Sequence, residues 1–146
     1  MVMEKASLTV TSQLGNLSKV RLFVERTAKG AGLSSEGVLG IRLAVDEACA
    51  NIIQHGYADK DGEITVTISI NADSMIVCVS DDAPLYNPLE ETPTPDLNTD
   101  LSERAIGGMG VLIIKQNTDL VEYEITESGG NALIMTKHTT DSMAKV

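Results

Sequence analysis

Three polar residues spaced four apart, Glu47, Asn51 and His55, lie in the stretch Leu43 to Tyr57, LAVDEACANIIQHGY. At about 100° per residue they share roughly one quadrant of a predicted helix with Gln54. A Glu followed by an Asn one turn later can share a hydrated cation, or can hold a water molecule beside the carboxylate. A polar helix stripe can also simply face solvent. Solvated stripes are usually rich in Lys, Glu and Arg, and because this one has neither Lys nor Arg, its composition weakens the solvent-facing interpretation without excluding it.

A second candidate residue lies where a predicted strand ends, in VCVSDDAPLYNP. Val77 and Val79 alternate as inward residues, and the strand ends at Asp81 and Asp82. A carboxylate at a strand end can accept a hydrogen bond from an amino group such as that of adenine. Two acidic residues also commonly open a turn, so both interpretations stay open.

The third candidate is a glycine cluster in AIGGMGVLII, where Gly107, Gly108 and Gly110 precede an apolar helical segment. Without Cβ atoms, the backbone N–H groups of such a cluster can approach phosphates closely, and a helix N-terminus adds a favourable dipole. A helix entry that needs only flexibility is the alternative. The cluster is neither a Walker loop nor a Rossmann fingerprint, and the signatures of eukaryotic-type protein kinases are missing from the chain.

Hydrophobic periodicity predicts the elements that must position these residues. Two helices, NLSKVRLFVERTAKGAG and SSEGVLGIRLAVDEACANIIQHGY, precede the first hairpin, and Ser34 or Ser35 is the expected N-cap of the second. The strand patterns are SLTVTS, ITVTISI, MIVCVSDD, LVEYEITE and NALIMTKH, of which the last four form two hairpins through NADS and SGGN. A further short helix is predicted for MGVLIIKQNT.

The segment between the two hairpins, from Ala83 to about residue 105, is predicted to be a lid. It exceeds roughly 12–15 residues, the length beyond which an unstructured loop is uncommon in a compact domain. Pro84, Pro88, Pro93 and Pro95 predict neither helix nor central strand within it. The segment also lies between the acidic strand end and the glycine cluster, as a lid over a site would.

Length and charge limit the possible functions. A chain of 146 residues is one domain by length, with 42% hydrophobic and 22% charged residues, as in ordinary globular proteins. The formal net charge of −10 argues against direct nucleic-acid binding, which needs a basic surface. The chain contains no apolar run long enough to span a bilayer and no signal-peptide pattern at its N-terminus. A cytoplasmic protein without a membrane partner is therefore expected.

The two cysteines, Cys49 and Cys78, lie inside apolar periodic segments and are expected to be reduced core thiols. With two His in the chain and no paired-Cys spacing, a zinc site is not expected.

In order and spacing, these motifs resemble those of the GHKL (Bergerat) ATPases, and most of all the anti-sigma-factor serine-protein kinases of the RsbW and SpoIIAB type. LAVDEACANIIQHGY resembles their N-box, SDDAPLYNP their first glycine box and ERAIGGMGVLIIKQNTDLVEYE their second. The similarity covers nearly the whole chain, so residues 1–146 are expected to form a single histidine-kinase-like ATPase domain. Sensor histidine kinases share the nucleotide fold, but no helix with a phosphoacceptor His precedes the N-box here. The resemblance implies a histidine-kinase-like ATPase fold, an α/β (α+β) two-layer sandwich with a mostly antiparallel mixed sheet and helices on one face.

The resemblance also implies residue roles in binding ATP and Mg²⁺. Asn51 would coordinate Mg²⁺, and Glu47 would be the general base for a serine or threonine hydroxyl. Asp81 would accept a hydrogen bond from the adenine amino group, with Ala83 beside it in the first glycine box. The residues that would surround the phosphates are Gly107, Gly108, Met109 and Gly110, and Arg104 would contact the transferring group.

By the same resemblance, the function is that of an ATP-binding anti-sigma factor with serine/threonine kinase activity toward a STAS-type anti-sigma-factor antagonist. A sigma factor would be its other partner, and the protein would be a homodimer. One departure favours an alternative, a catalytically silent module that sequesters a partner with weak or no nucleotide binding. Ala83 stands where the first glycine box usually has Gly, and its methyl group would crowd a backbone that passes close to the purine or adopts positive φ.

Overall fold

The computed structural model describes residues 4–58, 60–91 and 108–139. The described strands are β1 (Glu4–Thr11), β2 (Glu63–Ile70), β3 (Ser74–Asp81), β4 (Leu120–Ile125) and β5 (Asn131–His138). The described helices are α1 (Leu17–Gly30), α2 (Ser35–Asn51), the one-turn α3 (Pro88–Glu91) and α4 (Gly108–Gln116). A 3-10 turn, Leu14–Asn16, leads into α1, and a π-helical turn, Ile52–Gly56, continues α2.

The strands form one sheet in the order β1-β2-β3-β5-β4, and all four described pairings are antiparallel. Along β2, Ile64, Val66 and Ile68 are fully buried, whereas the Thr and Ser residues between them are half-buried on the other face. The buried side chains of α1, α2 and α4 join the inward residues of the strands in one core. The predicted two-layer α/β sandwich with helices on one face of a mostly antiparallel sheet is confirmed.

Two contacts fix the helix that carries the polar stripe. The Ser34 hydroxyl accepts a hydrogen bond at 3.1 Å from the backbone N–H three residues later, so Ser34 is the N-cap of α2. The Arg21 guanidinium of α1 donates two hydrogen bonds to the Asp46 carboxylate of α2, at 2.8 and 2.9 Å. This paired geometry holds α1 against α2 next to Glu47.

The predicted elements are wrong in two details. The second helix does not stay α-helical to Tyr57, because the Tyr57 N–H donates to the Ile52 carbonyl at 2.8 Å and closes a π-helical turn. Pro88 does not exclude helix but begins α3, since proline suits the first helical position. The Asn87 side chain caps this turn by accepting a hydrogen bond from the Leu89 N–H at 2.9 Å.

The rest of the predicted lid, residues 92–105, lies outside the described residues. Cys49 is buried in α2, and burial raises its thiol pKa to about 12, as expected for a core thiol. Cys78 is only half-buried, because it alternates with Val77 and Val79 and lies on the sheet face away from the helices. Within the described ranges, none of the helices has the length and apolarity needed to cross a membrane.

Candidate functional site

A small cavity lies where the C-terminal end of α2 meets the end of β3 and the start of β5. It encloses about 50 Å³, and its polar lining includes Asn51, Asp81 and Asn131. Apolar side chains from α2, β3 and β5 contribute to its lining, as do Pro84, Tyr86 and Pro88. Two of the candidate residues, the amide of α2 and the carboxylate at the end of β3, therefore face the same space.

A second contact brings the glycine cluster to the same turn of α2. A Cβ atom built on Gly110 would lie 2.9 Å from Glu47 Oε2 and 3.7 Å from Asn51 Nδ2. The start of α4 therefore packs directly against both polar side chains of the stripe. Gln54 and His55, the other members of that stripe, are exposed and are absent from the lining of this cavity.

The Asp81 carboxylate is held through one of its two oxygens. Oδ1 accepts hydrogen bonds from the Ala83 N–H and from Asn131 Nδ2, both at 2.9 Å. Burial raises the pKa of Asp81, and these two hydrogen bonds act in the opposite direction by stabilising the ionised form. Within the described ranges Oδ2 has no hydrogen-bond partner, so it is available to a donor in the cavity.

Asn131 was not predicted as a site residue, although it is buried at the centre of this network. Its Nδ2 also donates to the Ala83 and Pro84 carbonyls, at 3.2 and 3.3 Å. Its Oδ1 accepts from the Tyr86 N–H at 3.0 Å and from the Tyr123 hydroxyl. Asn131 therefore joins the carboxylate of β3 to the backbone that begins the predicted lid. The local sequence shows only a polar residue at the start of the predicted strand NALIMTKH, next to a turn in which polar residues are ordinary.

The turn before Asn131 explains how it reaches Asp81. In the sheet register Asp81 pairs directly with Asn131. A Cβ atom on Gly130 would lie 2.1 Å from the Asp81 carbonyl oxygen, so only glycine permits this approach. The preceding Gly129 has a φ of 88°, a conformation that L-residues rarely adopt. The SGGN turn is thus part of the site as well as a hairpin connection.

Tyr57 anchors the end of β3 from the other side. Its hydroxyl donates to the Glu63 carbonyl at 2.7 Å and accepts from the Asp82 N–H at 2.9 Å. Its ring lies where a side chain on Gly62 would be, since a Cβ there would approach the ring to 2.2 Å. The end of the N-box is therefore bonded to the strand end that carries Asp81.

Ala83, which stands in place of a glycine, does not adopt the positive φ that such a position can require. Ala58 is the one non-glycine residue with positive φ in the described part of the chain, so Ala83 has an ordinary backbone conformation. Its side chain is buried, and its methyl carbon would lie 3.2 Å from a Cβ built on Gly56. The methyl group packs over Gly56, and Ala83 is absent from the residues that line the cavity.

Glu47 is partly buried, and burial raises its pKa, with a further rise from the negative charge of Asp46. Neither Glu47 nor Asn51 has a hydrogen bond or ion pair from its side chain to any other described residue. A carboxylate with raised pKa and no protein partner is suited to accept a proton.

The remaining predicted residues belong to the second glycine box. Gly108 begins α4, Met109 is half-buried and Gly110 is buried against α2. Arg104 and Gly107 lie outside the described residues.

Comparison with known proteins decides the family. The model of the histidine kinase-like ATPase domain matches residues 10–137. The chain belongs to the histidine kinase-like ATPase family. Its predicted resemblance to RsbW-type proteins is confirmed as well. It is 30% identical to the serine-protein kinase RsbW of Listeria monocytogenes serovar 1/2a (strain ATCC BAA-679 / EGD-e) over 146 residues, which cover 97% of this chain and 92% of that protein.

Two further relatives carry the same name. The serine-protein kinases RsbW of Bacillus cereus (strain ATCC 10987 / NRS 248) and Bacillus mycoides (strain KBAB4) are each 27% identical over 138 residues. Those alignments cover 92% of this chain and 85% of each relative. An ATPase domain implies a site for ATP, and the cavity has the chemistry such a site needs. One carboxylate oxygen of Asp81 is open to a donor in the cavity, and the start of α4, which has no side chain at Gly110, packs against Asn51 of the cavity lining.

Proposed function

We propose that the protein is an ATP-binding anti-sigma factor that phosphorylates a serine or threonine of an anti-sigma-factor antagonist. One observation carries the proposal: Glu47 and Asn51, from a single helical turn, face Gly110, while Asn51 shares a cavity with Asp81. An adenine-binding end, a phosphate end and a base are therefore available in one place. The similarity to serine-protein kinases over almost the whole chain supports the same function.

Each residue has a definite task under this proposal. Asp81 Oδ2 accepts the hydrogen bond of the adenine amino group, while Asn131 holds Oδ1. The Asn51 amide oxygen is a ligand for Mg²⁺, which prefers oxygen donors. When bound, Mg²⁺ supplies the positive charge that phosphoryl transfer requires and that a chain of net charge −10 lacks.

Glu47 acts on the acceptor protein. It accepts the proton that the serine hydroxyl loses as the hydroxyl oxygen bonds to the γ-phosphorus of ATP, while the bond from that phosphorus to the β–γ bridging oxygen breaks and ADP leaves. Its raised pKa makes it a stronger base, provided that it is ionised at the working pH. Gly107, Gly108, Met109 and Gly110 border the phosphates, and Arg104 contacts the transferring group. For Arg104 and Gly107, these roles rest on the sequence motif alone.

The partners belong to the proposal too. The name RsbW, which the relatives bear, supports a sigma factor and a STAS-type antagonist as the two protein partners. Self-association as a homodimer is part of the same proposal.

The test is phosphoryl transfer by wild type and by Glu47→Ala. The antagonist is first co-purified with the protein from its native host and is then incubated with γ-labelled Mg-ATP. We expect label on a serine or threonine of the antagonist with wild type, and unchanged ATP binding but no label with Glu47→Ala. Equal labelling by the two proteins would remove Glu47 from its role. Partner binding by wild type without any label would favour the silent binding module instead.

A further inference from the structure

Helices α2 and α4 pack in antiparallel fashion through two glycines, one from each helix. A Cβ on Gly40 of α2 would lie 2.9 Å from Asn117 Oδ1, at the end of α4. A Cβ on Gly110 of α4 would lie 2.9 Å from Glu47 Oε2, further along α2. The two contacts are separated by about two helical turns on both helices, so they lie on one seam.

The contact at Gly110 controls the space around Glu47. Within the described ranges the Glu47 carboxylate has no hydrogen bond or ion pair, so packing rather than a polar partner sets its position. Oε2 lies where a side chain at position 110 would begin, and Asn51 Nδ2 lies 3.7 Å from the same point. A single methyl group there would displace the carboxylate, which is the flexible end of its side chain.

We propose that Gly110 is a positioning residue for Glu47: its missing side chain lets the carboxylate lie against α4, beside Asn51 and facing the reacting hydroxyl. This inference rests on the proposed kinase function. It gives Gly110 a task in addition to bordering the phosphates, since a backbone N–H that contacts a phosphate is kept in Gly110→Ala whereas the space beside Glu47 is not. A displaced base slows transfer while ATP still binds.

Gly40 provides a matched control. Its contact has the same length and also meets the end of a polar side chain, yet it lies about two turns from the site and touches no proposed site residue. Both glycines are helical and neither has positive φ, so alanine suits the backbone at either position and is the better helix former.

The test is a double-mutant cycle of Gly110→Ala with Glu47→Asp, read as kcat for transfer and Kd for Mg-ATP. We expect Gly110→Ala to lower kcat by about tenfold or more and to change Kd by less than about threefold. In the Glu47→Asp background the carboxylate is one methylene shorter and no longer reaches the contact. There, Gly110→Ala should lower kcat by less than about threefold. Gly40→Ala alone should leave kcat within about threefold of wild type.

Equal losses of kcat in the two backgrounds, or a raised Kd in Gly110→Ala, would overturn the inference. Crystal structures of the Gly110→Ala and Gly40→Ala variants supply a readout that needs no activity. We expect the Glu47 carboxylate to move away from α4 in the first and to keep its place in the second. An unmoved carboxylate in Gly110→Ala would also overturn the inference. If wild type transfers no phosphate, the proposed function fails, and these structures still decide the role of Gly110.

Discussion

At the scale of single residues, the site depends on which polar atoms are already satisfied by the protein. One oxygen of Asp81 accepts two hydrogen bonds, and the other is left for a ligand. Glu47 and Asn51 have no described side-chain partners, whereas Asn131 uses both ends of its amide. A folded protein usually pairs its buried polar groups, so the open polar atoms of Asp81 and Asn51 in the cavity lining mark a place where a ligand can supply the missing partner.

The role of Asn131 can be measured through Asn131→Ala. We expect the Kd for Mg-ATP to rise about tenfold, because Asp81 loses a donor and the following backbone loses its anchor. Losing that donor also raises the pKa of Asp81 further, so the carboxyl group becomes protonated at a higher pH. The difference in Mg-ATP affinity between wild type and Asn131→Ala should therefore grow as the pH falls. Calorimetric titrations at several pH values would show this.

Tyr123→Phe is the control for that variant, because it removes one partner of Asn131 and none of Asp81. Its affinity should stay closer to that of wild type at every pH. If Asn131→Ala and wild type bound Mg-ATP equally at all pH values, Asn131 would have no part in the site.

The charge of Asp46 should tune the base. Burial and Asp46 both raise the pKa of Glu47, and a base works only when ionised, so transfer is lost as the pH falls through that raised pKa. Asp46→Asn removes the negative charge next to Glu47, so the pKa of Glu47 should fall. The acidic limb of the kcat–pH profile should therefore move to lower pH. Asp46 is also paired with Arg21. Arg21→Gln breaks that ion pair and leaves the negative charge of Asp46 without its partner, so it should move the acidic limb to higher pH. Shifts in the same direction would show that the broken ion pair, and not the charge, matters.

At the scale of elements, the end of β3 is held in place from two neighbouring elements. The Tyr57 hydroxyl bonds to Glu63 and Asp82 on one side, and the SGGN turn brings Asn131 to Asp81 on the other. The π-helical turn that follows α2 leads directly into Tyr57. Such turns are common at functional sites, and this one carries the chain from the N-box to the sheet.

Tyr57→Phe tests this anchoring. The variant loses both hydrogen bonds of the hydroxyl, so we expect a loss of about 1–3 kcal/mol in the free energy of unfolding and faster hydrogen exchange at the Asp82 amide. Affinity for Mg-ATP should also fall, because Asp81, the proposed adenine-binding residue, directly precedes the released Asp82. Ser7→Ala, which removes a hydroxyl pair with Thr67 on the exposed sheet face, should leave the Asp82 amide and the affinity unchanged. Unchanged exchange in Tyr57→Phe would contradict the anchoring.

The elements were predictable where the signal is local. Alternation along β2 and β3 and the NADS and SGGN turns were enough to predict both hairpins, because side-chain periodicity and turn chemistry belong to a few neighbouring residues. Asn131 and Tyr57 were missed because their importance depends on hydrogen bonds to the end of β3, which is distant from both in the sequence. The Asp81–Asn131 register joins residues fifty positions apart, and no local pattern contains it.

At the scale of the whole molecule, the fold brings an amide of α2, a carboxylate of β3 and the start of α4 together, although they are far apart in the sequence. The motif order allowed this arrangement to be expected, and the family match accounts for it. A chain with a net charge of −10 has little positive charge of its own to attract a polyphosphate. Nucleotide binding by this protein should therefore depend strongly on a divalent cation and on the residue that coordinates it.

Calorimetric titration with ATP tests this dependence most directly. Wild type is titrated with Mg²⁺ present and with Mg²⁺ removed by a chelator, and Asn51→Ala is titrated with Mg²⁺ present. We predict clear binding by wild type with Mg²⁺, its loss with the chelator, and an affinity at least about tenfold weaker in Asn51→Ala. Binding of equal strength in all three titrations, or no binding by wild type with Mg²⁺, would contradict the account.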